Sequence, residues 1–336
     1  MKKIINAPEA FVDEVIEGIL LAYPDSLKSV SSDNRALVRA DAPLTGKVGI
    51  VTGGGSGHLP IFAGYVGEGL CTGVAIGNVF SSPSSDRILE ATRASNGGAG
   101  VLYLYGNYGG DILNFDLAAD LAELEDIETA TVVVSDDVAS APREHASDRR
   151  GVAGMVFAYK IAGAAADRGD PLAEVVRLAK KANSRVRSMG VGLSPTILPA
   201  AGEPTFTLDD GEMEIGIGIH GERGVHRGAL ESADVITDRL LRAILDDLEL
   251  PSGSQVAIMV NGLGATPAEE LYVMFRRAKQ ILDAAAIEIH RPYIGEYATS
   301  LEMAGASITI LALDDELAAL LDATAKSPFF AQQQGE

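Results

Sequence analysis

A single cysteine, Cys71, stands among 336 residues. One thiol excludes an internal disulfide and leaves no cluster for a thiolate-bound metal. In its setting, GEGLCTGVAIG, Cys71 reads as a small buried hydrophobe rather than a nucleophile. Positive charge is also short: 27 Lys and Arg face 47 Asp and Glu, a formal net charge of −20. That argues against binding nucleic acid or an anionic membrane, both of which need basic patches, while a small anion held by local backbone amides is still allowed. Long apolar runs are missing too, and nothing approaches the roughly 20 residues of a membrane span. Acids interrupt the apolar stretch of the opening MKKIINAPEAFVDEVIEGILLAYPD, so it does not read as a signal peptide. The expectation is a cytoplasmic protein. Neither a fixed-period repeat nor a low-complexity linker is visible.

What is present reads as globular: 47% hydrophobic and 22% charged residues, with 37 glycines. The length suits one large domain or two ordinary ones. Short β-rich runs alternate with longer helical patterns. Strands are predicted over 48–52, 74–77, 101–106, 129–136, 212–220, 255–262, 286–291 and 307–313. Helices are predicted over 152–169, 172–189, 235–248 and 267–285; in the last, Leu271, Met274, Phe275 and Ile281 form one stripe at helical spacing. This alternation implies an α/β fold with largely parallel sheets, and ligands then lie beyond the carboxyl ends of strands. The segment 187–212, rich in glycine, proline and threonine, marks a domain boundary, dividing 1–188 from 189–336.

Three strand ends carry candidate chemistry. In VTGGGSGHLP, Gly53 to His58 lacks both the Gly-Lys-Ser/Thr ending of a Walker A loop and the third glycine of a dinucleotide fingerprint, a position that Pro60 fills. What is left is a glycine turn offering the amides of Gly54, Gly55 and Ser56, with Pro60 opening a following helix. The bland alternative is a tight turn with a capping histidine. In LYGNYGGDILNF, Asp111 follows a strand, as either an N-cap or a proton acceptor for a substrate hydroxyl. In EMEIGIGIHGE, Met213, Ile215, Ile217 and Ile219 alternate, and Gly216 and Gly218 share the opposite face with His220. That pattern predicts cleared space beside a ligand-contacting His220, set against a merely capped or surface histidine. His145, His226 and His290 have no such setting. Asp136 and Asp137 could suit magnesium but read better as caps or ion-pair partners. VNGLGATPAEELY (260–272) is a further strand, glycine turn and helix start, with Thr266 and Pro267 as helix-start signals; its asparagine and glycines shape a pocket or simply turn the chain.

Together these motifs resemble one family, the substrate-binding K subunit of dihydroxyacetone kinase. The resemblance runs nearly end to end, through RADAPLTGKVGIVTGGGSGH (39–58), NYGGDILNF (107–115), RRGVAG (149–154), PAAGEPTFTLDDGEMEIGIGIHGE (199–222), NGLGATPAEELY (261–272) and ATSLEMAGASIT (298–309). It implies a homodimer of chains with two α/β domains, of mainly parallel or mixed sheets flanked by helices, and a pocket between them. It further implies that His220 adds to a ketone carbonyl as a covalent hemiaminal, with His58 and Asp111 in acid/base and hydrogen-bonding roles. Gly55, Ser56, Gly57 and Gly106 fall among the substrate contacts. No nucleotide or metal is expected on this chain: ADP or ATP, with magnesium, would sit on a separate helical L subunit. That partner draws its phosphoryl group from ATP or from the phosphoenolpyruvate phosphotransferase system.

The sequence departs from the family pattern at four places. Leu59 stands where the family has Glu, Gly106 where it has Lys, Gly109 where it has Thr, and Arg223 where it has Pro. Loss of the lysine and glutamate predicts a less polar pocket, wider near Gly106, and brings in a four-carbon ketose such as erythrulose beside dihydroxyacetone. The competing class is a non-catalytic ketose sensor or transcriptional coactivator.

Overall fold

The computed structural model describes residues 2–333. In chain order its elements are α1 (Phe11–Ala22), β1 (Leu27–Ser29), β2 (Ala36–Arg39), β3 (Gly49–Ser56), β4 (Gly73–Val79), α2 (Ser85–Ser95), β5 (Val101–Gly106), α3 (Gly109–Glu123) and β6 (Thr129–Val134). Then come α4 (Met155–Arg168), α5 (Leu172–Arg185), β7 (Val186–Ser194), β8 (Glu212–Ile215), β9 (His226–Ala229), α6 (Ala233–Leu248), β10 (Gln255–Gly262) and α7 (Ala268–Ala284). The chain closes with β11 (Glu288–Gly295), β12 (Ala304–Leu313), α8 (Asp315–Leu321) and the short pair β13 (Ala325–Lys326) and β14 (Ala331–Gln332). Among the described residues no helix is long and apolar enough to cross a membrane.

Two six-stranded sheets result, ordered β1-β2-β4-β3-β5-β6 and β11-β10-β12-β7-β8-β9. In the first, β3 runs parallel to β4 and β5, and β5 parallel to β6. The expectation of largely parallel sheets fails for the second, where β10 and β11 are parallel but β12, β7, β8 and β9 pair antiparallel.

Period-2 side chains divide each sheet between two cores. Val51, Tyr103 and Tyr105 face α2 and α3, meeting Ile88, Ala91, Phe115 and Ala118. Leu102, Leu104, Val132 and Val134 face the other way, onto α4 and α5. The second sheet does the same: Val256, Ile258 and Val260 pack on α6 and α7, whereas Ala257, Met259 and Leu311 join the core of α4 and α5. The order of layers is therefore α2/α3, sheet, α4/α5, sheet, α6/α7. Helix α4 lies in the shared middle layer, which is why every residue from Met155 to Ala166 is buried. The one cation in that buried run, Lys160, donates to the Leu320 carbonyl at 3.0 Å, and burial lowers its pKa to about 8.

Several predicted elements change. The glycine turn is no turn: β3 runs on to Ser56. Pro60 opens no helix; a single 3-10 turn, Ala63–Tyr65, lies beyond it. The predicted helix 172–189 ends at Arg185, and its last four residues begin β7, because Val186 and Met189 are pulled into the core between layers. The predicted strand 212–220 stops at Ile215, where Gly216 takes φ +80°. Helices α1, α2 and α6–α7 aside, Asp111 does begin an apolar helix, as the third residue of α3.

A staple joins the two sheets. Arg149, 1% exposed, donates to Asp247 of α6 at 2.9 Å, and Arg187 of β7 donates to the same carboxylate. Burial pushes the Asp247 carboxyl up, but the two guanidiniums more than offset this and hold it at about 2. The ion pairing therefore stabilises the fold above the ordinary carboxylate range and is lost as pH falls through about 2. Asp247→Asn should cost about 3–5 kcal/mol at pH 7, because it leaves Arg149 buried and unpaired. Urea unfolding of the two proteins checks this.

Candidate active site

The chain leaves β3 for β4 on one side and returns to β5 on the other. Such a reversal opens a crevice at the carboxyl ends of the strands. Here β5 pairs β3 only at Gly49–Val51, so Gly53 to Ser56 have no partner strand on that side. Side-chain-free residues line this stretch for a packing reason. A Cβ on Gly54 would lie 2.2 Å from the Phe62 ring, and one on Gly55 2.7 Å from the Phe80 backbone. At Gly57, φ +103°, the chain turns away and delivers His58.

His58 is 2% exposed. Its Nδ1 lies 2.7 Å from the Thr299 carbonyl, which fixes the proton on Nδ1 and leaves Nε2 bare and without a partner. Burial, reinforced by neighbouring His220, lowers its pKa to about 3. The Thr299 segment joins β11 to β12 of the other sheet and grips this loop twice more: Thr299 Oγ1 donates to the Leu59 carbonyl at 2.9 Å, and the Leu301 amide to the Gly57 carbonyl at 2.7 Å.

His220 follows β8 and meets His58 edge to face, ring centroids 4.8 Å apart. Its Nδ1 lies 2.9 Å from Glu222 Oε1, and its backbone amide donates to Glu222 Oε2 at 2.9 Å. Burial pushes the Glu222 carboxyl up, but its bonds to His220 outweigh that and hold it at about 2. A carboxylate on Nδ1 again leaves Nε2 as the bare nitrogen. Phe80 stacks on His58 at 4.7 Å and stands 5.1 Å from His220, while Tyr108 packs edge to face on His220 at 4.9 Å. Phe80 is held at φ +55°, a strained backbone for a bulky residue, which the surrounding rings enforce.

Asp111 lies in the first turn of α3, 6% exposed, with Oδ1 unpartnered. It is not the N-cap; that position belongs to Tyr108, so the cap reading fails. Burial raises its pKa to about 6, against a hydrogen bond from Ser82 and the influence of His220.

Other expectations resolve differently. Met213 to Ile219 are all buried, not alternately so, and the space beside Gly218 is taken by the Glu222 carboxylate and Arg150. Gly106 opens no volume either: a Cβ there would meet Met155 Sδ at 3.1 Å and the Gly151 carbonyl at 3.2 Å. Leu59 packs against the middle core. It also lines an apolar cavity of about 370 Å³ under α1, which includes Gly55 to His58 but neither Asp111 nor His220. The chemistry is therefore read from the imidazole cluster rather than from that hollow. Asp136 accepts from the Val152 and Gly154 amides at 2.8 and 2.7 Å, and Asp137 pairs with Arg150, so both are structural carboxylates. Among the described residues no group of His, Cys, Asp and Glu could hold a metal. Asn261 brackets the Tyr297 and Ala298 amides at 2.8 and 2.9 Å, and Cys71 is fully buried. Glu222, Phe80, Tyr108, Ser82 and Thr299 went unread as site residues. Glu222 alone had a signal, a carboxylate two residues after the histidine.

Fold and site together define a two-sheet α/β protein with an interior imidazole pair and a buried carboxyl at a strand crossover. The Dak1 domain model matches residues 17–329, and the chain belongs to that family. It is 41% identical to a PTS-dependent dihydroxyacetone kinase 2, dihydroxyacetone-binding subunit, of Listeria innocua, over 98% of this chain and 99% of that one. It is 41% identical to the PEP-dependent dihydroxyacetone-binding subunit of Escherichia coli, over 98% of both. An L-erythrulose 1-kinase of Mycolicibacterium smegmatis is 42% identical; 98% of this chain covers 58% of that one. Among solved structures, a dihydroxyacetone kinase operon co-activator matches with TM-score 0.89 and 29% identity over 96% and 98% of the chains. The dihydroxyacetone kinase of C. freundii matches with TM-score 0.87 and 32% identity, over 99% of this chain and 60% of that one.

Asp111 makes a prediction about stability. Its folded pKa stands above the ordinary 3.8, so ionising it costs the native state, increasingly as pH rises from about 4 through 6. Asp111→Asn should be at least as stable as wild type at pH 8 and lose that advantage near pH 4. Thermal melts at both pH values test it; a variant equally destabilised at both would refute the buried-carboxyl account.

Proposed function

We propose that this chain is the ketose-binding subunit of a dihydroxyacetone-type kinase, and that His220 holds the ketose as a covalent hemiaminal. The observation that carries the reading is the bare Nε2 of His220, secured by the Glu222 carboxylate on Nδ1. In the proposed step the Nε2 lone pair attacks the ketone carbon and forms the N–C bond. The carbonyl π pair moves onto oxygen, which takes a proton. The imidazole in turn releases its Nδ1 proton, so one hydrogen passes, in net terms, from ring to new hydroxyl. Glu222 steadies the transient imidazolium, and neutral His58 offers its bare Nε2 as a hydrogen-bond acceptor beside it. A polyol has no carbonyl and cannot be captured this way, so discrimination rests on a bond. Gly55, Ser56 and Gly57 supply backbone contacts at the strand crossover, with Gly106 on its far wall.

Asp111 then accepts the proton of the ketose hydroxyl that receives the phosphoryl group. A pKa of about 6 suits a base working near neutrality. The phosphoryl group comes from a separate L-type partner that carries ADP or ATP with magnesium, and the chain acts as a homodimer in the cytoplasm. Dihydroxyacetone is favoured over erythrulose because Met155 and Gly151 occupy the volume that a longer ketose would need near Gly106. A co-activator role is disfavoured because a sensor has no use for the joint retention of His58, Asp111 and His220.

Two measurements test this. With [2-¹³C]dihydroxyacetone, the carbonyl resonance of bound ketose should be replaced by a tetrahedral carbon signal, absent in His220→Ala; a bound ketone with its carbonyl intact sinks the hemiaminal. With an L partner added, Asp111→Asn should keep the adduct but lose transfer by about 10²–10⁴-fold. In wild type, transfer should fall below about pH 6 as Asp111 protonates. Transfer near the wild-type rate in the variant would reduce Asp111 to a structural residue.

A further inference from the structure

The RRGVAG segment, 149–154, has a use beyond the staple made by its first arginine. Arg150 leaves the first sheet after β6 and reaches across to the loop that carries His220. Its Nε donates to Asp137 Oδ2 at 2.9 Å, and its Nη2 lies 2.7 Å from the same oxygen. Nη2 also donates to the Gly216 carbonyl at 3.3 Å, and Nη1 stands 3.8 Å from Glu222 Oε2. The base of this arm is fixed: the Arg150 amide donates to Ser140 Oγ at 3.0 Å, and its carbonyl accepts from the Asp137 amide at 3.1 Å. Gly218 is what lets the two charges meet, since a Cβ there would lie 2.4 Å from Arg150 Nη1 and 2.1 Å from Glu222 Oε2.

We infer that Arg150 is the positioning residue of His220: anchored on Asp137, it fixes the Glu222 carboxylate and the 216–222 loop so that His220 keeps its proton on Nδ1 and presents Nε2. This rests on the reading of His220 as the nucleophile. The geometry favours a positioning role over direct contact with substrate. The guanidinium hydrogen-bonds Asp137 and the Gly216 carbonyl, and its remaining end, Nη1, faces Glu222 across 3.8 Å. Glu222 already uses one oxygen on the His220 amide and the other on Nδ1. Arg150 sits on the side of the amide-bound oxygen, at ion-pair rather than hydrogen-bond distance. It also steadies negative charge there as a partial positive charge builds on the attacking imidazole. A lysine would supply charge but not the three-way grip of a planar fork.

The test reads the tautomer and the chemistry separately. Long-range ¹H–¹⁵N correlation of the histidine rings, at neutral pH without ketose, should show His220 with Nδ1 protonated and Nε2 bare in wild type. Arg150→Ala should show averaging between both tautomers, and its adduct with [2-¹³C]dihydroxyacetone should form about 10–100-fold more slowly. Arg150→Lys should fall between the two, and Asp137→Asn, which frees the anchor, should shift the tautomer in the same direction. Unchanged His220 signals and adduct rates in folded Arg150→Ala overturn the inference. If that variant does not fold, unchanged values in both Arg150→Lys and Asp137→Asn do so instead. Absence of any adduct in wild type refutes the proposed nucleophile, while the ring spectra still decide the role of Arg150.

Discussion

Two imidazoles from different sheets meet edge to face, and the character of each is set by the group its Nδ1 faces. Two cations 4.8 Å apart in a buried setting would repel by several kcal/mol at any reasonable interior dielectric. The two rings are held by unlike partners. His58 is stripped of solvent and tied to a carbonyl, which can accept a proton's hydrogen bond but cannot balance a charge. His220 is tied to a carboxylate, which could balance one. The pair is thus asymmetric: one ring is kept from becoming a cation, and the other lies beside a counter-charge.

The backbone makes this meeting possible. β3 can press against Phe62 and Phe80 because Gly54 and Gly55 carry no side chains, and the strand crossover leaves their outer edge free. Phe80, in turn, packs against both imidazoles. Strand topology, glycine placement and ring electrostatics therefore form one chain of cause.

Much of this was legible in sequence because local patterns and tertiary demands agreed. β5 and β10 match their predicted limits residue for residue, since both are buried apolar runs ended by glycine. Gly53–His58, Asp111 and His220 were each recognisable as strand-end features, and all three do lie at one crossover. The misreadings have physical origins. A glycine run looks like a turn unless the rings that need the room, Phe62 and Phe80, are known. Residues 213–219 alternate in sequence, yet the chain folds over itself at Gly216, so period-2 reading fails. Gly106 looked like an opening because a missing side chain was weighed without the Met155 that fills its place. Phe80 and Tyr108 had no signal at all; only the fold makes them neighbours of a histidine about 110 to 140 residues away.

The shared middle layer has a consequence of a mechanical kind. Helices α4 and α5 pack against both sheets, and the chain crosses between the halves twice, at Arg185–Val186 and again after Leu313, where α8 returns to α4. A close-packed interior common to both halves leaves no sliding plane between them. The span from the β3–β5 crossover to the His220 loop is then a fixed gauge rather than an adjustable jaw. Ligands are measured against a set width, and any admission of substrate falls to the loops at the rim, whose movement leaves the gauge untouched.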